Sequence, residues 1–213
     1  MLSVKYFGHS CFKISNGITS VVFDPYQDNS VPNLKLPHIR SSYVLSSHDH
    51  NDHNALRLID EEEQIYEMLD KKIIPSFHDH HKGMHRGMNN IHIINLSGYR
   101  ICHLGDIGDI SDEELIRQLQ DIDIMFVPIN GHYTISSLEA YELYKLTKPK
   151  LFIPMHYFMK EFSSGYPDGG QIDQFRELFP DAIEVNDSKI EIDDALLNNN
   201  ILIFNKYQTE DDL

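Results

Sequence analysis

The stretch SSHDHNDHNA, residues 46–55, places three histidines and two aspartates in six consecutive positions, directly after the apolar run YVL. Such a run predicts a strand that ends where the polar cluster begins. Alternate side chains of an extended segment point the same way, so His48 and His50 can bind one metal ion together. Asp52 and His53 follow as the chain turns and can face a second ion. Because each ion needs three or four ligands, the cluster predicts further ligands elsewhere.

Three metal-competent residues follow other apolar strands. His78 comes after KKIIPSF, Asp106 after RICHLG and His156 after LFIPM. The carboxyl ends of strands are where α/β sheets collect their functional loops, so we expect these residues to join the cluster. Gly105 would allow a tight turn that brings the Asp106 carboxylate inward.

This order of motifs, H-x-H-x-D-H, a histidine after a strand, H-x-G-D and P-M-H, resembles the metallo-β-lactamase superfamily. Longer phrases are similar to small bacterial zinc-dependent hydrolases related to the L-ascorbate-6-phosphate lactonases, over about residues 2–158. These phrases are YFGHSCFKI, VVFDPY, SFHDHHKGMHRGMNNI, YRICHLGDIG, VPINGHYT and IPMHY. The resemblance implies an α/β fold, a four-layer αββα sandwich.

The resemblance also implies a binuclear centre with a shared water. The residues that it assigns to the first ion are His48, His50 and His78, those for the second are Asp52, His53 and His156, and Asp106 would bridge both. Asp52 and Asp106 are then the candidate catalytic carboxylates. The cofactors would be two divalent ions, with zinc the first expectation and manganese the alternative, since nitrogen and oxygen ligands suit both.

Five other residues are candidates for contacting the substrate or for holding a ligand in place. A buried carboxylate often orients a metal-binding histidine, which is the role considered for Asp24 in FDP. The loop after His78 is predicted to be largely solvated, and Arg86 is its best candidate for meeting a substrate anion because the family phrase has an arginine there. The remaining candidates are His9 in GHSC, His103 in HLGD and His132 in NGHY.

Composition narrows the class of protein. The chain has 213 residues with 41% hydrophobic and 24% charged residues, which fits a single domain over residues 1–213 and no membrane span. Cys11 and Cys102 are too few and too far apart for a disulfide framework or a cysteine zinc site. A net charge of −15 disfavours long nucleic acids but not a small anionic substrate at a metal centre. The N-terminus lacks a signal-peptide pattern, so we expect a cytoplasmic protein.

Strand and helix patterns alternate along the chain. The opening residues predict a meander with strands at 2–7, 10–15 and 19–24, and residues 55–70 predict an irregular helical region. Ser111 with Glu114 and Ser136 with Glu139 each fit a capping box, which predicts helices at 111–120 and 136–147. A further helix is predicted at 171–179 and a disordered tail at 208–213.

The ligand set and its resemblance to the metallo-β-lactamase superfamily imply a hydrolase that uses a metal-bridging hydroxide on a small ester, lactone or phosphodiester. Three alternatives stay open: a phosphodiesterase or nuclease of the same fold, a metal-binding module without catalysis, and an iron redox enzyme. The last is weakened by His50, because redox members of the superfamily typically have a glutamate there.

Overall fold

Two β-sheets packed face to face form the body of the protein. The computed structural model describes residues 1–62, 68–159, 170–198 and 200–210. Strands β1 to β14 are, in chain order, Leu2–Tyr6, Phe12–Ser15, Ser20–Phe23, Ile39–Ser41, Tyr43–Leu45, Ile59–Glu61, Asp70–Phe77, Met88–Leu96, Tyr99–His103, Ile124–Pro128, Leu151–Met155, Ile183–Val185, Lys189–Ile192 and Asn200–Phe204.

Each sheet has a mixed topology. The five-stranded sheet has the order β13-β1-β2-β3-β5 and the seven-stranded sheet β12-β14-β11-β10-β9-β8-β7. Aromatic side chains fill the space between them: the ring of Phe12 in β2 lies 4.5 Å from that of Phe126 in β10 and 4.5 Å from that of Tyr6 in β1. All three side chains are fully buried. This shared layer fixes the two sheets against each other and aligns their strand ends.

Helices cover the outer face of the seven-stranded sheet. Helices α1, α2 and α3 span Glu113–Gln118, Ser137–Thr147 and Gly170–Leu178. Since Phe126 points toward the other sheet, its parallel neighbour Ile153 does too, and Phe152 must point outward. The Phe152 ring indeed lies 5.4 Å from Tyr144 of α2 and 6.3 Å from Phe175 of α3. None of the helices in the described ranges is long and apolar enough to cross a membrane.

A small parallel ladder of β4 and β6 lies against the outer side of β3. Ser20 Oγ of β3 is 3.0 Å from Ser41 Oγ of β4 and donates to Glu62 at 2.7 Å. Sequence patterns did not predict either strand of this ladder. Residues 59–61, expected to be helical, are instead strand β6, after a single 3-10 turn at Leu56–Leu58. Residues 63–67 of that predicted helical region and 211–213 of the predicted disordered tail lie outside the described residues.

One of the two predicted capping boxes is present. Ser136 Oγ accepts from the backbone N–H of Glu139, whose side chain accepts from the backbone N–H of Ser136. The other prediction was wrong by one residue: Asp112 caps α1, accepting from the Glu114 backbone N–H at 2.8 Å. Both serine and aspartate are good caps, so the neighbouring carboxylate replaces Ser111.

We predict that Ser136→Ala lowers the free energy of unfolding by about 1 kcal/mol, because it leaves an amide of α2 without its acceptor. Ser111→Ala is the matched control and should change it by less than about 0.5 kcal/mol. Urea denaturation of both variants measures the difference. Equal losses in the two variants would contradict the capping assignment.

Candidate metal centre

The predicted ligands meet at one edge of the sandwich. Strands β3, β5, β7, β9 and β11 all end there, and a candidate residue follows each of them. Within each sheet these strands run in the same direction. Strands β3 and β5 pair in parallel, as do β9, β10 and β11, and β7 runs parallel to β9 because both are antiparallel to β8 between them. The residues brought together are His48, His50, Asp52, His53, His78, Asp106 and His156, and His9, which follows β1, joins them.

The first potential metal-binding group consists of His48, His50 and His78. His48 Nε2 lies 2.9 Å from His50 Nδ1, so both nitrogens face the same point. The ring of His78 is 4.6 Å from that of His48. On its far side, His48 Nδ1 is held at 2.9 Å from the hydroxyl of Ser47. The Nδ1 atom of His78 is held by the backbone carbonyl of Tyr133 at 3.1 Å. These contacts fix both rings with Nε2 directed inward.

The second potential metal-binding group consists of His9, Asp52, His53 and His156. His9 Nε2 lies 3.2 Å from Asp52 Oδ2 and 3.3 Å from His53 Nε2. The ring centroids of His9 and His156 are 4.0 Å apart. His9 and His156 both have a left-handed backbone, with φ of 55° and 56°. The His156 N–H donates to the His9 carbonyl at 3.0 Å, so one local contact positions both side chains.

Asp106 lies between the two groups. Its Oδ2 atom is 3.4 Å from His78 Nε2, 3.2 Å from His53 Nε2 and 3.2 Å from His156 Nε2. Its Oδ1 atom is buried and has no hydrogen-bond partner within the described residues. A buried carboxylate oxygen without a donor is costly, and a cation beside it would remove that cost.

Gly105 and Asn89 shape the turn that delivers Asp106. Gly105 has φ of 55°, and a Cβ there would lie 2.3 Å from Asn89 Oδ1 and 2.4 Å from Ser47 Cβ. Asn89 Oδ1 also accepts from the Asp106 backbone N–H at 2.9 Å. The tight turn expected at Gly105 is therefore present. Asn89 was not anticipated, because a polar residue within a strand carries no local signal of this role.

Asp24 holds His53 from behind. The carboxylate of Asp24 is fully buried and accepts from the Ser47 backbone N–H and hydroxyl, each at 2.7 Å. Its Oδ2 atom lies 2.8 Å from His53 Nδ1, which leaves His53 Nε2 facing the centre. His103 lies outside both groups: it is stacked on Phe23, and its Nε2 atom is 3.0 Å from the Ser10 carbonyl. Asp24 thus has the orienting geometry considered from the sequence, whereas His103 Nδ1 accepts from the Gly105 backbone N–H at 3.2 Å, in the turn before Asp106.

Protonation follows from these surroundings. Burial lowers the pKa of His9 to about 4 and that of His48 to about 3, so both rings are neutral at pH 7. Burial also lowers the pKa of His53, but Asp106 and Asp24 outweigh it and the net pKa is raised. Burial raises the pKa of Asp106, but His156 and His53 lower it by more, so the net pKa is well below the ordinary carboxyl value. A protonated His53 would lie between the carboxylates of Asp24 and Asp106, and a metal ion bound at His53 Nε2 would displace the proton there.

A cavity of about 260 Å³ opens onto the centre. It is lined by His50, Asp52, His78, Asp106 and His156 from the centre, by Arg86 and Tyr133, and by Ser30, Val31 and Pro32. The last three lie in a segment, residues 27–42, for which the sequence suggested no role. The remaining candidate, His132, is exposed, with its ring 4.9 Å from that of Tyr133, and is not among the cavity-lining residues.

Comparison with known proteins agrees with this architecture. Residues 3–156 match a family model described as a β-lactamase superfamily domain. A metal-dependent hydrolase of Natranaerobius thermophilus is 26% identical over 187 residues, covering 73% of this chain and 83% of that protein. One of Thermococcus kodakarensis is 26% identical, covering 87% and 95%. The crystal structure of a metallo-β-lactamase superfamily member from Thermotoga maritima superposes with a TM-score of 0.72 at 24% identity, covering 96% of this chain and 98% of that one. The chain therefore belongs to the metallo-β-lactamase superfamily, and the αββα sandwich expected from its motifs is confirmed.

Proposed function

We propose that the protein is a binuclear metal-dependent hydrolase acting on a small ester, lactone or phosphodiester. The observation that carries this proposal is the position of Asp106, whose Oδ2 atom lies within 3.4 Å of histidines from both groups. In this assignment His48, His50 and His78 hold one ion, Asp52, His53 and His156 the other, and Asp106 bridges them. The hydrolase relatives support the same class of activity.

The side chains fit a pair of divalent ions. Bonds of about 2.0–2.2 Å from one ion to nitrogen and oxygen place its ligand atoms roughly 3.0–3.5 Å apart. The separations here are 2.9 Å between His48 Nε2 and His50 Nδ1, and 3.6 Å between His53 Nε2 and Asp52 Oδ2. The His48 ring, which is neutral at pH 7, also offers the lone pair that metal binding needs. Zinc remains our first expectation, and manganese the alternative.

Two divalent ions in these positions would lower the pKa of a water between them and polarise the bond that is cleaved. The chain itself supplies orientation and charge. Asp106 is nearly inaccessible, whereas the Asp52 side chain is 31% exposed at the cavity wall. We assign the Asp52 carboxylate, which would help to hold the second ion, as a candidate catalytic group as well, with His9 Nε2 3.2 Å from its Oδ2 atom keeping it in place.

The cavity favours a small substrate. A volume of about 260 Å³ is near the low end for small-molecule sites. The net charge of −15 repels a nucleic-acid backbone, which disfavours the nuclease alternative. The ligands also face a cavity that opens to solvent, whereas purely structural metal sites are closed, which disfavours a module without catalysis.

The metal assignment predicts that Asp106→Asn reduces the metal content from two ions per chain to at most one, because the amide cannot neutralise and bridge two cations. Asp49→Asn is the matched control: Asp49 lies in the same histidine cluster, but it is exposed and accepts a hydrogen bond from Asn54. That variant should retain both ions. Elemental analysis after dialysis gives the stoichiometry, and two ions retained in Asp106→Asn would contradict the bridging role.

The activity is tested with bis-p-nitrophenyl phosphate, p-nitrophenyl acetate and a panel of lactones, using the metal-loaded enzyme. We expect turnover of at least one class and a loss of at least roughly a hundredfold in His50→Ala, which lacks one ligand. His38→Ala is the control, because His38 is also exposed but pairs with Asp60 away from the centre. A metal-loaded enzyme inactive on all three classes would contradict the proposal, and turnover of the phosphodiester alone would exclude a lactonase.

A further inference from the structure

Arg86 forms part of the cavity wall beside the proposed metal ligands. Its guanidinium carbon lies 3.4 Å from the centroid of the Tyr133 ring, which is a stacked cation–π contact. Tyr133 is tied to the centre as well, because its carbonyl oxygen lies 3.1 Å from His78 Nδ1. The guanidinium is therefore stacked on a residue whose backbone contacts a candidate metal ligand.

Among the residues that the structure describes, no carboxylate forms an ion pair with Arg86. Acidic residues outnumber basic ones by 33 to 18, and Arg117 and Arg176 each pair with glutamates. Yet within the described ranges no carboxylate or carbonyl accepts a hydrogen bond from the Arg86 guanidinium. Stacking uses a face of the guanidinium and leaves its N–H donors, which lie in the plane, available to a planar or tetrahedral anion.

The loop that carries Arg86 is held rigidly. The buried carboxylate of Asp79 accepts from four backbone N–H groups of this loop, at 2.8 to 3.0 Å. The donors are those of His81, Gly83, His85 and Arg86. The loop closes with the Gly87 carbonyl accepting from the His78 N–H at 3.1 Å. Little ordering is left for a ligand to impose, which favours binding.

We propose that the Arg86 guanidinium, stacked on Tyr133, is an anion-binding subsite, and that the substrate carries a carboxylate or phosphate group separate from the bond that is cleaved. The subsite rests on the proposed hydrolase function. The carboxylates of Asp52 and Asp106 would be compensated by the two ions, so Arg86 adds a positive charge that the substrate must balance. Its bidentate donors also give orientation, because they fix one end of the substrate while the other lies at the metal centre.

The test is calorimetric titration of the metal-loaded protein with inorganic phosphate, succinate and acetohydroxamate, a small ligand for the metal centre itself. Arg86→Gln removes the positive charge and the pair of parallel N–H donors of the guanidinium. Arg57→Gln is the matched control, because Arg57 is exposed and does not line the cavity. We expect Arg86→Gln to raise the Kd of phosphate or succinate at least about tenfold, with acetohydroxamate changed by less than about twofold. Arg57→Gln should bind all three like the wild type.

Each outcome has one interpretation. A larger effect on phosphate identifies a phosphate-bearing substrate, and a larger effect on succinate a carboxylate-bearing one. If acetohydroxamate binds normally but Arg86→Gln leaves both anions unaffected, the subsite is wrong while the metal centre stands. If the wild type takes up no ions and binds no acetohydroxamate, the proposed function fails, and the subsite that rests on it fails too.

Discussion

A fully buried carboxylate surrounded by imidazoles is the constraint on which this structure depends. Asp106 is 2% exposed, and three histidine nitrogens lie within 3.4 Å of its Oδ2 atom. An isolated charge at this depth would cost several kcal/mol, so the surrounding groups must compensate it. His53 does so through a raised pKa, and Asp24 in turn holds His53. The neighbouring elements therefore have to be accurately placed, because each charge in this chain of contacts is stabilised by the next.

The two sheets meet this requirement through their strand directions. Each ligand follows the carboxyl end of a strand, and the layer around Phe12 and Phe126 holds both sets of ends at one edge. Beyond the strands, the backbone adopts costly conformations at His9 and His156, which are non-glycine residues in the left-handed region. Such strain persists only where packing and hydrogen bonds enforce it. Here the strained backbone brings the rings of His9 and His156, which are distant in sequence, into contact with each other.

Much of this arrangement could be predicted from the sequence, for a physical reason. A histidine or aspartate that follows an apolar strand lies at the carboxyl end of that strand, and strands that run in the same direction have these ends at one edge of the sheet. His78, Asp106 and His156 could therefore be grouped with the cluster at residues 48–53. Other features depend on contacts that no local pattern reveals. The His9 carbonyl accepts from the His156 backbone N–H, and Asn89 supports Asp106 from a neighbouring strand. Three-residue strands such as β4 and β6 are too short to show periodicity. For α1, Ser111 and Asp112 are both suitable caps, and the pattern alone did not distinguish between them.

The bridging position of Asp106 is tested most directly by anomalous diffraction from crystals of the metal-loaded protein, recorded on both sides of the metal absorption edge. A binuclear centre predicts two peaks about 3.5–4 Å apart, one beside His48, His50 and His78 and the other beside Asp52, His53 and His156. Asp106 should lie within bonding distance of both. A single peak, or two peaks of which Asp106 contacts only one, would contradict it.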